Sequence, residues 1–572
     1  MKRLAIAAAL LLSACAGGGD LAPSPVLQTP QGPVQGVLSA DNASIASYQG
    51  LPFAAPPVGD LRWAPPADAP SWQATRDASA FGNRCMQPVG TEDGFFARLI
   101  DGHGLSGLKS FAIKRVVAAQ EPAPMSEDCL FLNVRAPLDG KDLPVMVWIH
   151  GGGHQFGSGD FPYYQADGLV EQGVVLVTIN YRLGAFGYMA HPALSADDPR
   201  GVSGNYGTLD QIKALEWVRD NIEAYGGDGS NVTVFGESAG AWSVTELMST
   251  PLASGLFHRA ILQSGSSTYH MGQLEDVEPG TDTGWPSGHE TGVRVADALG
   301  LDNPTAAELR AVPAETIRDT LPEGIDEGFH HVRDGVVFPR SVGEAFATGK
   351  INAVPLLAGY NADEGTLFFP DGRQPSVWVN DLEEGSREAV AAQLREAYGE
   401  DADTILDLYP LHEDWDQHGT AMMGDEIFGV NVRFAARQAA KGGAPSWLYF
   451  WSRVPPSERQ TLGAFHAAEI PFVFDSHESV LGVTEDDAAL TKTMIGYWTN
   501  FARSGNPNGS GLPEWPQHAG ETWMHLSANT GRPIATVETG VRAARLDALE
   551  GALLTRLERL ADNAPDAGAS RE

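Results

Sequence analysis

The sequence is poor in cysteine, in basic residues and in long hydrophobic runs. Its 572 residues include 3 cysteines, too few for a small domain held together by many disulfides. There are 38 Lys and Arg residues against 73 Asp and Glu residues, and the net charge of -35 disfavours binding to nucleic acid or to anionic membrane surfaces. Beyond the N-terminus no apolar run approaches the ~18 residues of a transmembrane helix, so we expect a soluble globular body.

The N-terminus has the pattern of a secretory leader. Lys2 and Arg3 precede an apolar stretch, residues 4–12, that is too short to span a bilayer. This stretch runs into Leu12-Ser13-Ala14-Cys15, which resembles the lipobox of bacterial lipoproteins, where the cysteine becomes the lipid-modified first residue. We therefore expect an exported protein anchored through Cys15 on the periplasmic or cell-surface side of a membrane. The alternative is a plain signal peptide and a periplasmic or secreted protein.

Two cysteines remain once Cys15 is set aside. In an oxidising compartment Cys85 and Cys129 are expected to form a disulfide, and the alternative is a pair of buried free thiols. An even number of remaining cysteines is consistent with an exported protein, in which cysteines pair as disulfides.

Strands and helices alternate along the chain. Residues 144–150 and 174–180 are continuously apolar and rich in β-branched side chains, as in strands that are buried on both faces of a parallel sheet. Apolar residues recur every three or four positions from 209 to 225, which predicts a helix that ends at Gly226. Further strands are predicted at 232–235, 260–263, 355–358 and 447–451, helices at 490–503 and 541–560, and surface insertions at 271–291 and 370–386. The pattern predicts an α/β fold with a large, mostly parallel sheet.

The strongest chemical motif is Gly236-Glu237-Ser238-Ala239-Gly240, a G-x-S-x-G sequence. As a bare pattern it is weak, because short motifs recur by chance. Here it follows a predicted strand and opens a helical stretch, the context in which flanking glycines permit a strained turn that exposes the serine hydroxyl. Ser238 is therefore predicted to be a nucleophile.

A serine nucleophile needs hydrogen-bond donors for the oxyanion that develops during attack. The segment His150-Gly151-Gly152-Gly153 ends a predicted central strand, and its glycines allow backbone N–H groups to point inward. Together with the N–H of Ala239, this loop offers three donors. A phosphate-binding interpretation fails on spacing, because G-x-G-x-x-G counted from Gly151 requires glycine where the chain has Phe156.

These motifs resemble those of the type B carboxylesterases, an α/β-hydrolase family that includes the cholinesterases and the catalytically inactive neuroligins. The resemblance covers nearly the whole chain and rests on four segments in family order, at 49–63, 126–133, 180–187 and 235–241. It implies an α/β-hydrolase fold with helices on both faces of the sheet. The expected organisation is a signal peptide at 1–14, a flexible tether at 15–28, one catalytic domain at 29–562 and a C-terminal tail at 563–572.

The resemblance also implies roles for single residues. The family's oxyanion donors correspond to Gly152, Gly153 and Ala239, its loop disulfide to Cys85 and Cys129, and its structural ion pair to Arg62 and Glu127. Glu237 is either a buried carboxylate satisfied by its neighbours or, as in the family, a hydrogen-bonded partner of Ser264 beneath the pocket, and structural support is expected of both. No cofactor or catalytic metal is implied, since the sequence has no H-E-x-x-H motif or cysteine cluster.

The base and the acid follow the serine in α/β-hydrolases, with the acid first. Among 15 histidines, His466 stands in a loop before an apolar run, and residues 463–474 resemble the histidine segment of the family. Asp363 and Glu364 follow the predicted strand at 355–358. The family pattern makes Glu364 the acid that orients the imidazole, and Asp363 a turn residue.

Two departures from the family bear on the substrate. The segment between Cys85 and Cys129 lacks the tryptophan that stacks on choline in cholinesterases, so a cholinesterase is not expected. Its apolar residues are interpreted as the core of a packed lid, or alternatively as a membrane contact or a gate for apolar substrates. His154 stands where many members have an aromatic residue, which predicts a more polar pocket mouth with His154 near the substrate.

The function implied by the resemblance is a serine carboxylesterase that hydrolyses small-molecule esters through an acyl-enzyme. A silent, neuroligin-like adhesion or scaffold protein is one alternative, but Ser238, Glu364 and His466 are all present. A hydrolase of amides, carbamates or lactones is the other, and it would share every motif. We expect no nucleic-acid partner and membrane association through the N-terminal lipid only, and the sequence leaves the oligomeric state open.

Overall fold

The computed structural model describes residues 21–89, 91–117, 123–269, 272–274, 287–321, 329–369, 375–379, 382–477, 483–518, 521–529 and 531–562. The predicted signal peptide, Cys15 and the predicted C-terminal tail lie outside the described residues, as do residues 271, 275–286, 370–374 and 380–381 of the two predicted insertions. Within the described part, no helix combines the length and the apolar character needed to cross a membrane.

The strands are β1 (Leu27–Thr29), β2 (Gly32–Gln35), β3 (Val37–Leu38), β4 (Ile45–Pro52), β5 (Arg76–Asp77), β6 (Phe131–Pro137), β7 (Leu143–Ile149), β8 (Val175–Ile179), β9 (Gly227–Glu237), β10 (Arg259–Gln263), β11 (Gly272–Gln273), β12 (Val332–Arg333), β13 (Leu356–Asn361), β14 (Ser446–Trp451), β15 (Thr522–Leu526) and β16 (Ala535–Thr539).

The α-helices are α1 (Thr91–Gly102), α2 (Gly107–Val117), α3 (Gly184–Tyr188), α4 (Pro192–Asp197), α5 (Tyr206–Asn221), α6 (Ala239–Ser249), α7 (Gly288–Ala298), α8 (Ala306–Arg310), α9 (Ala314–Thr320), α10 (Val342–Ala347), α11 (Arg387–Tyr398), α12 (Ala402–Leu408), α13 (Trp415–Gly424), α14 (Val430–Lys441), α15 (Ile470–Phe474), α16 (Glu485–Ser504) and α17 (Ala543–Asp562). Short 3-10 helices lie at Gly59–Leu61, Pro162–Tyr164, Val170–Gln172, Ile222–Tyr225, Pro251–Ala253, Ser267–Tyr269, Glu364–Leu367 and Gly399–Asp401, and a π-helix at Asp425–Gly429.

One large sheet organises the fold. Among the described residues eleven strands pair in the order β16-β15-β14-β13-β10-β9-β7-β8-β6-β4-β3. Pairing is parallel from β8 across to β15, and antiparallel at both edges of the sheet. The prediction of an α/β fold with a large, mostly parallel sheet is confirmed.

The sheet is buried on both faces because its strands are apolar on both. Along β7, Val145 and Val147 belong to the core that α5 and α6 cover, whereas Met146 and Trp148 belong to the core that α16 covers. Continuous apolar runs are typical of such doubly covered strands. Because the central strands are parallel, their carboxyl ends meet at one edge of the sheet, and the predicted site residues lie at this edge.

The folded chain begins earlier than expected. Residues 22–24 pair with β3 and with Gly36, which precedes it. Leu38 donates a backbone hydrogen bond to Ala22 O, and Ser24 donates one to Gly36 O. Because β1 adds further pairing from Leu27, the expected tether at 15–28 is wrong for its last residues, and the expected domain start at 29 is too late.

The expected disulfide and the expected ion pair are both confirmed. Cys85 and Cys129 form a disulfide, and Arg62 Nη2 lies 2.5 Å from Glu127 Oε2. The segment between the cysteines contains α1 and α2.

These two helices combine features of both interpretations of the segment. Ile100 and Ile113 are buried, as in a packed lid. Leu108 and Phe111, however, expose 71% and 63% of their surface. The described part of this segment is therefore neither wholly core nor wholly exposed.

Candidate active site

Ser238 occupies a strained turn between β9 and α6. Its φ of 56° and ψ of −125° lie in a region that non-glycine residues rarely adopt. The turn is held close to its surroundings: a Cβ on Gly236 would lie 2.5 Å from the carbonyl carbon of Gly240, and a Cβ on Gly240 would lie 2.0 Å from Ile149 O. The motif glycines are therefore required by packing, and the Ser238 side chain is left partly exposed.

The glycine loop after β7 lies directly beside this serine. Gly152, Gly153 and His154 have consecutive positive φ values of 103°, 64° and 60°. A Cβ on Gly151 would lie 3.1 Å from the Cβ of Ser238. Within the described ranges, no residue accepts a hydrogen bond from the backbone N–H of Gly152, Gly153 or Ala239. The three predicted oxyanion donors thus remain unengaged.

The predicted acid and base are in contact. Glu364 begins the 3-10 turn that follows β13, and its Oε2 lies 2.6 Å from His466 Nδ1. Its other oxygen accepts a 2.6 Å hydrogen bond from the backbone N–H of Asn361. The side chain of Asn361 donates to Phe465 O at 2.8 Å. Asn361, which the sequence did not indicate, therefore ties the acid loop to the histidine loop.

The other nitrogen of His466 faces Glu237. Its Nε2 lies 3.0 Å from Glu237 Oε1, but the two atoms lack the alignment of a hydrogen bond. Ser238 Oγ makes no hydrogen bond to any described residue. The structure therefore joins His466 to Glu364, and among the described interactions His466 makes no hydrogen bond to Ser238.

Buried carboxylates set the charge around His466. Burial raises the pKa of Glu237 well above its usual range, and burial also raises the pKa of Glu469. Burial lowers the pKa of His466, but the carboxylates of Glu237 and Glu364 outweigh it and raise that pKa to about 9. The two groups are coupled, because protonation of Glu237 removes its share of the rise in the pKa of His466.

The expected partnership between Glu237 and Ser264 is not formed. Ser264 is fully buried, and its Oγ has no hydrogen-bond partner among the described side chains and backbone groups. Ser264 directly follows β10, has a φ of 49°, and donates a hydrogen bond from its backbone N–H to Gly359 O at 2.8 Å. Of the two alternatives for Glu237, the hydrogen bond to Ser264 is therefore absent among the described residues, and structural support by these two residues stays a prediction.

His154 lies beneath the glycine loop. Its side chain is 0% exposed, so the expectation that it lies at the pocket mouth is wrong. Its Nε2 lies 3.1 Å from Ala239 O and 3.0 Å from Ser243 Oγ, and its ring stacks on Tyr188 at 4.9 Å. Because a carbonyl only accepts, Nε2 carries the proton that bonds Ala239. His154 thus fastens the glycine loop to α6.

Comparison with known proteins agrees with this geometry. The profile of the carboxylesterase family matches residues 23–548. The chain belongs to the carboxylesterase family. It is 36% identical over 508 residues to fumonisin B1 esterase of Sphingopyxis macrogoltabida, covering 86% of this chain and 85% of that one. It is 34% identical over 510 residues to para-nitrobenzyl esterase of Bacillus subtilis (strain 168), covering 87% and 93%.

A solved structure supports the same assignment. A Geobacillus stearothermophilus carboxylesterase superposes with a TM-score of 0.73 at 32% identity, over 92% of this chain and 100% of that chain. Family membership and these relatives make the protein a carboxylic ester hydrolase.

Two aromatic rings pack against His466 in this carboxylesterase, and a third aromatic side chain lies near Ser238 on α6. The ring of Phe428 lies 4.6 Å from that of His466, and the ring of Phe368 lies 5.1 Å from it. Trp242 stands one turn beyond Ser238 on α6, with the ring of His330 at 6.2 Å. The sequence did not indicate these residues, because they come from four separate segments.

The π-helix that carries Phe428 is pinned by the C-terminal segment. Arg542 Nη1 lies 2.6 Å from Asp425 Oδ1 in that π-helix, and Arg542 Nη2 donates to Ala362 O, two residues before Glu364. The Arg542 guanidinium thus links the π-helix that carries Phe428 to the segment that leads into Glu364.

Proposed function

We propose that this carboxylesterase uses Ser238, His466 and Glu364 as a catalytic triad. His466 accepts the proton of Ser238 as its Oγ attacks the ester carbonyl, and the protonated imidazole then donates to the departing alcohol. A second cycle with water releases the acid from the acyl-enzyme. The observation that carries the proposal is the contact of His466 with Glu364 beside a strained, partly exposed serine.

The oxyanion of the tetrahedral intermediate is assigned to the N–H groups of Gly152, Gly153 and Ala239. No described residue accepts a hydrogen bond from these three N–H groups, which supports this role, because a donor already engaged in the fold would have to break a bond first. Each such donor is typically worth ~10²-fold to 10³-fold in rate.

We assign small esters with an apolar or aryl group as the substrates. The aromatic side chains of Phe368, Phe428 and Trp242 around the site favour apolar groups. Two relatives are named as esterases of fumonisin B1 and of para-nitrobenzyl compounds, which supports esters as a class.

A substrate panel tests this assignment. We expect p-nitrophenyl esters of graded chain length to be hydrolysed, and the matched p-nitroanilides to be hydrolysed far more slowly. The acyl groups are the same in each pair, so a difference in rate comes from the leaving group alone. Initial rates of nitrophenol and nitroaniline release measure both. Anilide rates equal to or above the ester rates would replace the esterase assignment with an amidase.

His154 is expected to act by positioning the oxyanion loop. The His154→Phe variant keeps an aromatic ring but loses the hydrogen bonds to Ala239 and Ser243, and we expect kcat to fall about 10-fold with little change in KM. The His154→Gln variant, which retains an N–H donor, is expected to recover most of the loss.

The affinity of a trifluoromethyl ketone inhibitor separates positioning from general destabilisation. It forms an oxyanion on the enzyme, so its inhibition constant should rise in parallel with the loss of kcat/KM. A lower melting temperature with unchanged kcat and unchanged inhibitor affinity would contradict the positioning role.

A further inference from the structure

A second series of hydrogen-bonded serine, histidine and glutamate side chains lies at the side of the sheet formed by β14, β15 and β16. Ser452 Oγ lies 2.6 Å from His525 Nε2, and His525 Nδ1 lies 2.7 Å from Glu538 Oε1. This order of atoms is the one that activates a serine hydroxyl, and none of the three residues belongs to the site around Ser238.

The sheet brings the three residues together. Ser452 directly follows β14, and its backbone N–H donates to Leu526 O at the end of β15. His525 lies on β15 opposite Thr536 of β16, and Glu538 lies two residues further along β16, on the same face. β15 and β16 thus each supply one member, and the residue that follows β14 supplies the third.

The shorter of two contacts at Nδ1 indicates the tautomer of His525. A carboxylate only accepts hydrogen bonds, so the 2.7 Å contact with Glu538 requires the proton to be on Nδ1. The guanidinium of Arg532, which can only donate, lies 3.1 Å from the same nitrogen and 3.5 Å from the Glu538 oxygen, so the assignment of the proton rests on the shorter contact with Glu538. His525 Nε2 is therefore free to accept the proton of Ser452, as a general base does.

The serine is also reachable. Ser452 is partly exposed, and Glu538 and Arg532 expose 38% and 55% of their side chains beside it. Ser452 follows Trp451, which is paired with Asn361 at the end of β13, so it lies at the carboxyl edge of the sheet where reagents approach α/β proteins.

We propose that Ser452 is a second nucleophilic serine, which captures electrophilic phosphonyl or acyl groups. With a fluorophosphonate, Ser452 Oγ attacks phosphorus, the O–P bond forms, the P–F bond breaks, fluoride leaves, and the serine proton passes to His525 Nε2. The Ser452 N–H is already bonded to Leu526 O and is not available to an oxyanion. The reaction therefore stops at one covalent adduct per chain and does not become a second hydrolytic cycle.

The full chain carrying Ser238→Ala tests this, because the variant removes the other reactive serine that we predict. The protein is treated with a fluorophosphonate, digested, and the adduct is located by tandem mass spectrometry. Ser230 is the internal reference, since its Oγ donates to Asp228 at 2.7 Å without an imidazole. We expect Ser452 to be labelled at least about 100-fold faster than Ser230, the usual contribution of a general base.

A second variant tests the relay. Glu538→Gln in the same background keeps the size of a partly exposed side chain and is expected to slow labelling of Ser452 about 10-fold or more, while a melting curve checks that the fold is intact. Labelling of Ser452 at the rate of Ser230, or labelling unaffected by Glu538→Gln, would show that these residues only latch three strands together. Neither result depends on the triad proposed around Ser238.

Discussion

Replacement of Ser238 by alanine is expected to reduce kcat for a small aryl ester by about 10⁶-fold, which is the scale on which triad serines contribute. The alanine removes the oxygen that would form the acyl bond and leaves the oxyanion donors in place. The free energy of unfolding should change little, because Ser238 Oγ makes no hydrogen bond with the described residues and alanine meets the same backbone strain at a φ of 56°. Steady-state assays with purified protein measure kcat, and thermal melting checks the stability of the variant.

A matched serine on the same helix provides the control. Ser249 lies at the far end of α6, where its Oγ donates to Thr245 O, so Ser249→Ala alters a buried serine without approaching the turn. Turnover by Ser238→Ala within a factor of ten of the parent would refute the nucleophile. Loss of turnover in both variants would point to the stability of α6 instead.

The central strands were predictable because burial on both faces forces them to be apolar throughout. Val145 to Ile149 could be identified without knowing which helices cover them. The first half of β9 could not. Residues 227–231 have no strand-forming side chains, and their pairing beside Leu143 is imposed by the rest of the sheet.

The candidate site divides in the same way. Ser238, Glu364 and His466 lie in local motifs that can be recognised along the chain, and the structure brings the acid and the base into contact. Asn361 and Arg542 act through neighbours about 100 and 180 residues away, so no local pattern indicates them.

The error over His154 has a physical cause. A polar residue after a glycine run was expected to face the substrate, but its φ of 60° turns the side chain under the loop toward α6. Whether a side chain after such a turn points outward or inward depends on backbone angles that the sequence does not specify.

Glu364→Gln is expected to lower kcat/KM by about 10⁴-fold through the tautomer of His466. The glutamine oxygen would keep the hydrogen bond that Asn361 N–H donates to Glu364, which turns the amide NH₂ toward His466 Nδ1. The imidazole would then carry its proton on Nε2, where it cannot accept one from Ser238. Single-turnover and steady-state rates with an aryl ester measure the loss, and retention of more than a tenth of the parent activity would contradict it.

The pH profile adds a readout of the charge of Glu364. The Glu364 carboxylate is one of the groups that raise the pKa of His466, so its removal should lower that pKa. Since the base is active only when unprotonated, the acid limb of kcat/KM for the residual activity should move to lower pH. Asp363→Asn is the matched control, because the neighbouring Asp363 accepts a hydrogen bond from Ala464 N–H at 2.7 Å and has no contact with the imidazole among the described interactions. Equal shifts in both variants would mean that the profile reports the net charge of the loop, whereas a shift confined to Glu364→Gln follows from direct contact between acid and base.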